Sequence, residues 1–227
     1  MSHLSAANHV KSYVLRAGRK TDAQKRSYDS LASKYSVPFE NNKKNFSLIF
    51  GNENPVIAEI GFGMGAATAA IAADNPDKNY LGIEVHKPGI GKLLWEIDRR
   101  SLANIRIIEH DAAEVFCAMI SAESLDGIHI FFPDPWPKKR HHKRRLIKPP
   151  FTEALASSLK PRGYLYICTD WEDYAHWALA QLSASDSLAN ACEGFALPQP
   201  WRPKTAFELK GLKQNHTVRE LFFVKEK

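Results

Sequence analysis

The stretch Val56-Ile57-Ala58-Glu59-Ile60-Gly61-Phe62-Gly63-Met64-Gly65 decides the fold. Its first five residues are apolar except Glu59, the pattern of a short strand covered on both faces. The three glycines that follow permit a tight turn and let a ligand approach bare backbone. The Ala-rich run Ala66–Asp74 has the composition of a helix.

Outward from this unit the same alternation repeats. Strands are expected at Tyr80–Val85, Ile105–Ile108, Gly127–Phe132, Tyr164–Cys168 and Glu220–Lys225. Helices are expected through Lys92–Arg100, and at Ala112–Ile120, Phe151–Leu159 and Trp171–Leu182. Two more helical pieces fit Thr21–Tyr35 and the residues just before Gly51. Strands alternating with helices over short connections predict an α/β doubly wound sheet. Ligands of such sheets bind outside the carboxyl ends of the strands, so the residues after each strand carry the function.

Those residues form a series. The glycine loop with Gly61, Gly63 and Gly65 follows the first strand, Glu84 ends the second, and Asp111 follows the third. A glycine loop, an acid able to accept from ribose hydroxyls and an acid able to accept from an adenine amino group suit a nucleoside cofactor. Gly61, Gly63 and Ala66 also satisfy the dinucleotide pattern, so NAD and S-adenosylmethionine both remain candidates. Glu59 favours the second. A buried carboxylate beside the loop would receive an amino group and would sit badly beside a pyrophosphate.

The fourth strand runs into Phe131-Phe132-Pro133-Asp134-Pro135-Trp136-Pro137. Two prolines stiffen the backbone around Asp134 and place it at the mouth of the sheet. Next comes KKRHHKRRLIK, residues 138–148, with seven Lys/Arg and no acid. The whole chain of 227 residues carries a formal charge of +6. Residues 1–30 add six basic and two acidic side chains, including Arg16, Arg19, Lys20, Lys25 and Arg26, and the remainder carries a net −5. Two basic patches on a mildly acidic body suit a polyanion. No apolar run approaches the ~18 residues of a membrane span, and no secretion signal opens the chain. Cys117, Cys168 and Cys192 show no metal-binding spacing, and Cys117 and Cys168 read as small core residues. A reducing cytosol is expected, with no metal and no structural zinc.

AEIGFGMG, LGIEVHKPGIG, FFPDPWPKKRHHKRRL and TDWEDYA closely resemble the bacterial tRNA (guanine-N7-)-methyltransferase family. The likeness runs from about Tyr13 to Phe223, and FFPDPW with the basic run is its most specific part. The resemblance implies a Rossmann-like, mostly parallel sheet with helices on both faces and an antiparallel last strand. It implies a basic extension over residues 1–50, partly mobile, and a methyltransferase domain over residues 51–227. The implied reaction is methyl transfer from S-adenosylmethionine to N7 of a guanine in the tRNA variable loop, usually position 46. Glu59, Gly61, Gly63, Gly65, Glu84, Asp111 and Asp134 would contact the donor, with Asp134 catalytic. Lys138, Asp170, Thr205, Phe207 and Glu208 would contact substrate. Arg140, Lys143, Arg144 and Arg145 would track RNA, together with Arg16 and Arg19.

Where that family has T-K-F-E, R-G, G-H and D-L, this chain has Ala206, Lys210, Asn215 and Glu220 at the altered places. A monomer or homodimer in the cytoplasm, partnered by tRNA and by no membrane, is expected. The competing readings are an NAD-dependent oxidoreductase and a non-catalytic RNA-binding protein on the same fold.

Overall fold

The computed structural model describes residues 10–14 and 21–226. Seven strands form one sheet: β1 (Val56–Ile60), β2 (Asn79–Glu84), β3 (Ile105–Glu109), β4 (Leu125–Phe131), β5 (Leu159–Thr169), β6 (Leu188–Asn190) and β7 (Arg219–Lys225). Their order is β3-β2-β1-β4-β5-β7-β6. The first five run parallel, β7 lies antiparallel to β5, and β6 antiparallel to β7. The α-helices among the described residues are α1 (Asp22–Tyr35), α2 (Phe46–Phe50), α3 (Ala66–Asp74), α4 (Lys87–Arg99), α5 (Ala112–Ala118), α6 (Phe151–Ser158), α7 (Glu172–Ser183) and α8 (Ala206–Leu212). Strand order reverses beside β1, which sets a crevice between the ends of β1 and β4.

Two apolar clusters account for the layers. One joins Ile60, Ile83, Ile128 and Ile130 of the sheet to Phe116, Phe151 and Leu182. The other joins Ile57, Tyr80, Ile105 and Tyr166 to Ile71, Leu93 and Ile97. The near-continuous burial of β1, β2 and β4 follows from this two-sided covering.

Several local features differ from the sequence reading. Helix α4 starts at Lys87, with Pro88 in its first turn, where a missing N–H costs nothing. Strand β5 begins at Leu159 and not at the expected Tyr164, so it takes in Pro161 and Gly163. The β4–β5 register jumps from Leu125↔Leu159 to Gly127↔Tyr164, so residues 160–163 bulge out of the ladder, with Arg162 at φ 67°. Strand β6 is three residues long and has no apolar run to announce it. Part of the basic run, Lys139–Arg144, coils into a 3-10 turn.

The expected boundary at residue 50 is not a structural break. Helix α1 starts with a Thr21–Gln24 capping box and lies on α4 at Gly91, where a Cβ would meet the Gln24 carbonyl oxygen at 2.4 Å. Beyond α1, Val37 N donates to Ile107 O at 2.7 Å. Phe46 and Phe50 are buried in the core. Residues 21–50 therefore belong to the domain. Arg16 and Arg19 lie outside the described residues.

Candidate active site

A cavity of about 240 Å³ opens at the carboxyl ends of β1, β2 and β4. Gly61 and Ile60 line it from β1, Glu84 from β2, His110 and Ala112 from the turn after β3, and Phe132, Pro133 and Asp134 from the end of β4. Ser12 and Tyr13 line it as well, a contribution that the sequence reading missed. Their segment is tied down by the Trp136 indole, whose Nε1 donates to Ser12 O at 2.9 Å. Arg144 Nη1 donates to Lys11 O at 3.3 Å.

The glycine loop divides in two. Gly61 (φ 73°) and Gly63 (φ 56°) adopt left-handed backbone, and a Cβ on either would meet nothing within 4 Å. They leave open space in front of bare peptide, which a cofactor can approach. Gly65 also has positive φ, but its Cβ would stand 2.6 Å from Leu93 Cβ. Leu93 leaves no room for a side chain here, so Gly65 is small because α3 begins against α4.

Glu59 is 2% exposed, and its Oε2 has no hydrogen-bond partner among the described residues. Burial pushes its carboxyl up to about 7; the Thr68 hydroxyl partly offsets this and the charge of Glu84 adds to it. An orphaned buried acceptor of this kind fits a cationic amino group. Glu84 lines the cavity and is held by three backbone donors: Gly63 N at 2.9 Å, Val85 N at 2.7 Å and His86 N at 3.0 Å. A carboxylate has about four lone-pair sites, so capacity remains for a hydroxyl ligand. Asp111 is buried and caps α5, its Oδ1 accepting from Ala113 N at 2.9 Å. Its chain neighbours His110 and Ala112 form the wall, and the His110 ring is backed by Phe39 at 3.7 Å between centroids.

Asp134 is exposed on the cavity rim. The backbone around it is strained, with Phe132 at φ 51° and Trp136 at φ 46°. Such conformations persist where surroundings impose them. Two contacts do so here: Phe132 N donates to Cys168 O at 2.8 Å, and Arg145 Nε donates to Pro135 O at 3.0 Å.

The C-terminal segment reaches the same mouth. The Phe207 ring, 57% exposed, sits 5.2 Å from that of Phe132. Asp170, just after β5, accepts from His216 Nδ1 at 2.9 Å. Thr205 and Glu208 form the capping box of α8, and the T-x-x-E spacing in the sequence was a legible signal for that helix. Lys138, Lys139, Arg140 and Lys143 are exposed on the 3-10 turn beside the FFPDPW element.

Comparison with known proteins gives this geometry a family. A model described as “Putative methyltransferase” matches residues 53–221. A tRNA (guanine-N(7)-)-methyltransferase of Nitrosomonas eutropha (strain DSM 101675 / C91 / Nm57) is 51% identical over 222 residues, 98% of this chain and 99% of its own. The same-named protein of Paraburkholderia xenovorans (strain LB400) is 50% identical over 95% of this chain and 83% of its own. The chain belongs to the tRNA (guanine-N(7)-)-methyltransferase family. Among solved structures, the 16S rRNA methyltransferase KamB superposes with a TM-score of 0.58 at 13% identity, covering 80% of this chain and 93% of its own. The antibiotic-resistance methyltransferase Kmr gives 0.56 at 15%, covering 84% and 95%. At these identities the likeness shows the fold, a Rossmann-like methyltransferase sheet. The family uses S-adenosylmethionine, and the open glycine backbone and the orphaned Glu59 oxygen fit that donor.

In this methyltransferase three sequence expectations need correction. Arg145 does not track RNA: it is 1% exposed, pairs with Asp173, and lies over the rings of Tyr174 (5.6 Å) and Trp177 (5.2 Å). It fastens the FFPDPW backbone to α7. Glu208 is 4% exposed, and both its oxygens accept from Arg202, so its carboxylate holds α8 and is not turned to solvent. Cys117 is exposed; only Cys168 is a core residue, and Cys192 is half-buried.

The departures from the family pattern have local explanations. Asn215 stands at φ 58°, where Asn is among the few residues that substitute for Gly. Ala206 and Lys210 are exposed on α8, and Glu220 is an ion-pair partner of Arg202.

Replacing Arg145 by Ala should remove charge-assisted hydrogen bonds and two ring contacts, a loss of about 2 kcal/mol or more. Calorimetry should show a melting temperature lower by roughly 5 °C. An unchanged melting temperature would contradict the brace.

Proposed function

We propose that the chain methylates N7 of the guanine at position 46 in the variable loop of tRNA, with S-adenosylmethionine as donor, in the cytoplasm. The observation that carries this reading is adjacency. A nucleoside-cofactor cavity, an acid held rigidly on its rim and a row of exposed cations occupy one continuous surface. No helix among the described residues is long and apolar enough to cross a membrane.

When bound, S-adenosylmethionine supplies an electrophilic methyl on a cationic sulfur. Glu59 would bind the amino end of the donor, Glu84 the ribose and the Asp111 region the base. Guanine N7 offers an in-plane lone pair and no proton, so the protein needs no general base. Its task is alignment, which can contribute ~7–11 kcal/mol. The product purine is cationic, and Asp134 on the rim can stabilise that developing charge. N7 lies on the edge hidden in the deep A-form groove, so the base must be unstacked to react. Phe207 and Phe132 offer ring faces at the mouth for such a base.

The test is incubation with labelled donor and bulk tRNA, followed by mapping of the modified base. 7-Methylguanine at position 46 supports the reading, and methylation at another atom or site overturns it.

The exposed cations should carry the salt dependence. Changing Arg140 and Lys143 to Ala should raise the tRNA Kd and lower the slope of log K against log salt by about 1 for each phosphate that is no longer neutralised. Donor affinity should stay the same. An unaltered slope would remove this turn from the RNA interface.

A further inference from the structure

Arg202 was not singled out by the sequence, yet it joins three elements beneath the substrate end of the site. It is 8% exposed. Nη1 donates to Glu208 Oε2 at 2.5 Å and Nη2 to Glu208 Oε1 at 3.0 Å, a bidentate pair. Nη2 also donates to Glu220 Oε1 of β7 at 2.5 Å, and Nε donates to the Tyr166 hydroxyl of β5 at 3.2 Å. The Tyr166 hydroxyl in turn donates to Glu220. Trp201 anchors the position from the side, stacked on His129 at 4.6 Å and set against Tyr166 at 5.1 Å. One guanidinium thus links two sheet strands to the first turn of α8.

Glu208 is the hinge of that link. Its Oε2 also accepts from Thr205 N at 3.3 Å, and its own N donates to Thr205 Oγ1 at 3.0 Å. Helix α8 then delivers two things to the mouth of the cavity. Phe207 stands beside Phe132 on the wall. Gly211 lets the helix close on the Asp170–His216 pair, where an added Cβ would come within 3.4 Å of Asp170 Oδ2 and His216 Nδ1. A seven-residue helix has little intrinsic stability, so its place depends on these tertiary contacts.

We propose that Arg202 is a positioning residue for the target guanine, acting through Glu208 to fix α8 so that Phe207 and the Asp170–His216 pair meet the base. The proposal rests on the tRNA methyl-transfer reading. A tilt of α8 would displace the base contacts and leave the donor cavity intact, because none of the cavity-lining residues comes from residues 199–216.

The test uses the full chain with Arg202→Met and Arg202→Lys, tRNA as substrate and saturating donor. Donor Kd is measured by calorimetry on the same preparations. Arg202→Met should lower kcat/KM for tRNA roughly 10²-fold, the cost of an ångström-scale misplacement, with donor Kd within about twofold of wild type. Arg202→Lys keeps the charge but loses the planar fork, and should fall between the two. Adding Glu208→Gln to Arg202→Met should cost little more, since the two act in one chain.

If wild type methylates tRNA and Arg202→Lys shows wild-type kinetics, the positioning role is overturned, and this holds even where the Met variant fails to fold. A parallel loss of donor binding and tRNA turnover in the Lys variant would also overturn it in favour of a general structural role. A wild-type chain that binds donor and leaves tRNA unmethylated would instead overturn the functional reading beneath it.

Discussion

Asp134→Ala should lower kcat by roughly 10²–10³-fold, the usual cost of losing one preorganised electrostatic group at a reacting centre. Asp134 is exposed on the rim, so its removal takes no packing from the core. The backbone that carries it is held independently by Arg145 and by the Cys168 carbonyl. The melting temperature and the tRNA Kd should therefore stay close to wild type. Single-turnover rates with saturating donor and tRNA isolate the chemical step. A variant with wild-type turnover would remove Asp134 from the active centre. Asp134→Asn should fall between the two, because it keeps the shape and part of the dipole but no charge.

Glu59→Gln should act in opposite directions on stability and on donor binding. The Glu59 carboxyl is shifted from the ordinary 4.5 up to about 7 by burial. Between those two values the folded state holds a proton that the unfolded state releases. Stability contributed by the acid form is present at low pH and is lost as pH rises through that window. The shift corresponds to about 3 kcal/mol at 1.36 kcal/mol per unit. Free enzyme should thus melt at lower temperature at pH 8 than at pH 6, and Glu59→Gln, which never ionises, should lose much of that difference.

Donor binding should show the reverse. The ionised carboxylate is the form that pairs with a cationic amino group, so wild-type donor affinity should rise with pH through about 7. The Gln variant should bind the donor roughly 10–100-fold more weakly, the range for hydrogen bonds to charged groups. Calorimetry from pH 5.5 to 8.5 on both proteins reads both effects. Equal donor affinity in the two would take Glu59 out of the cofactor site.

The two residues mark different kinds of legibility. Glu59, Glu84 and Asp134 could be read from the chain because each sits near a strand end, Glu59 next to a glycine loop and Asp134 between two prolines. Those neighbours are sequence-local, and in a parallel sheet strand ends converge whatever the loops do. The capping box of α8 is equally local: the spacing of Thr205 and Glu208 is a helix signal, although the sequence reading took both residues as substrate contacts and expected no helix there. What that spacing concealed was Arg202, which draws both Glu208 oxygens inward. Arg145 misled for a related reason. It sits in a run of cations, and a run gives the charge of its members but not their direction. A 3-10 turn sends Lys138, Lys139, Arg140 and Lys143 outward and leaves Arg145 against Trp177.

The sequence by itself determined the alternating α/β order, the glycine loop, the acids at the strand ends and the place of the positive charge. All of these are set within a few residues of chain by hydrophobic period, by glycine and proline geometry and by composition. Only the tertiary structure decided which glycines front open space and which faces Leu93, and that Tyr13 walls the cavity. It also decided that two of the expected substrate and RNA contacts, Glu208 and Arg145, are buried braces. Those outcomes depend on which side chains meet across distant segments, and a long charged side chain goes wherever the packed fold offers it a partner or water.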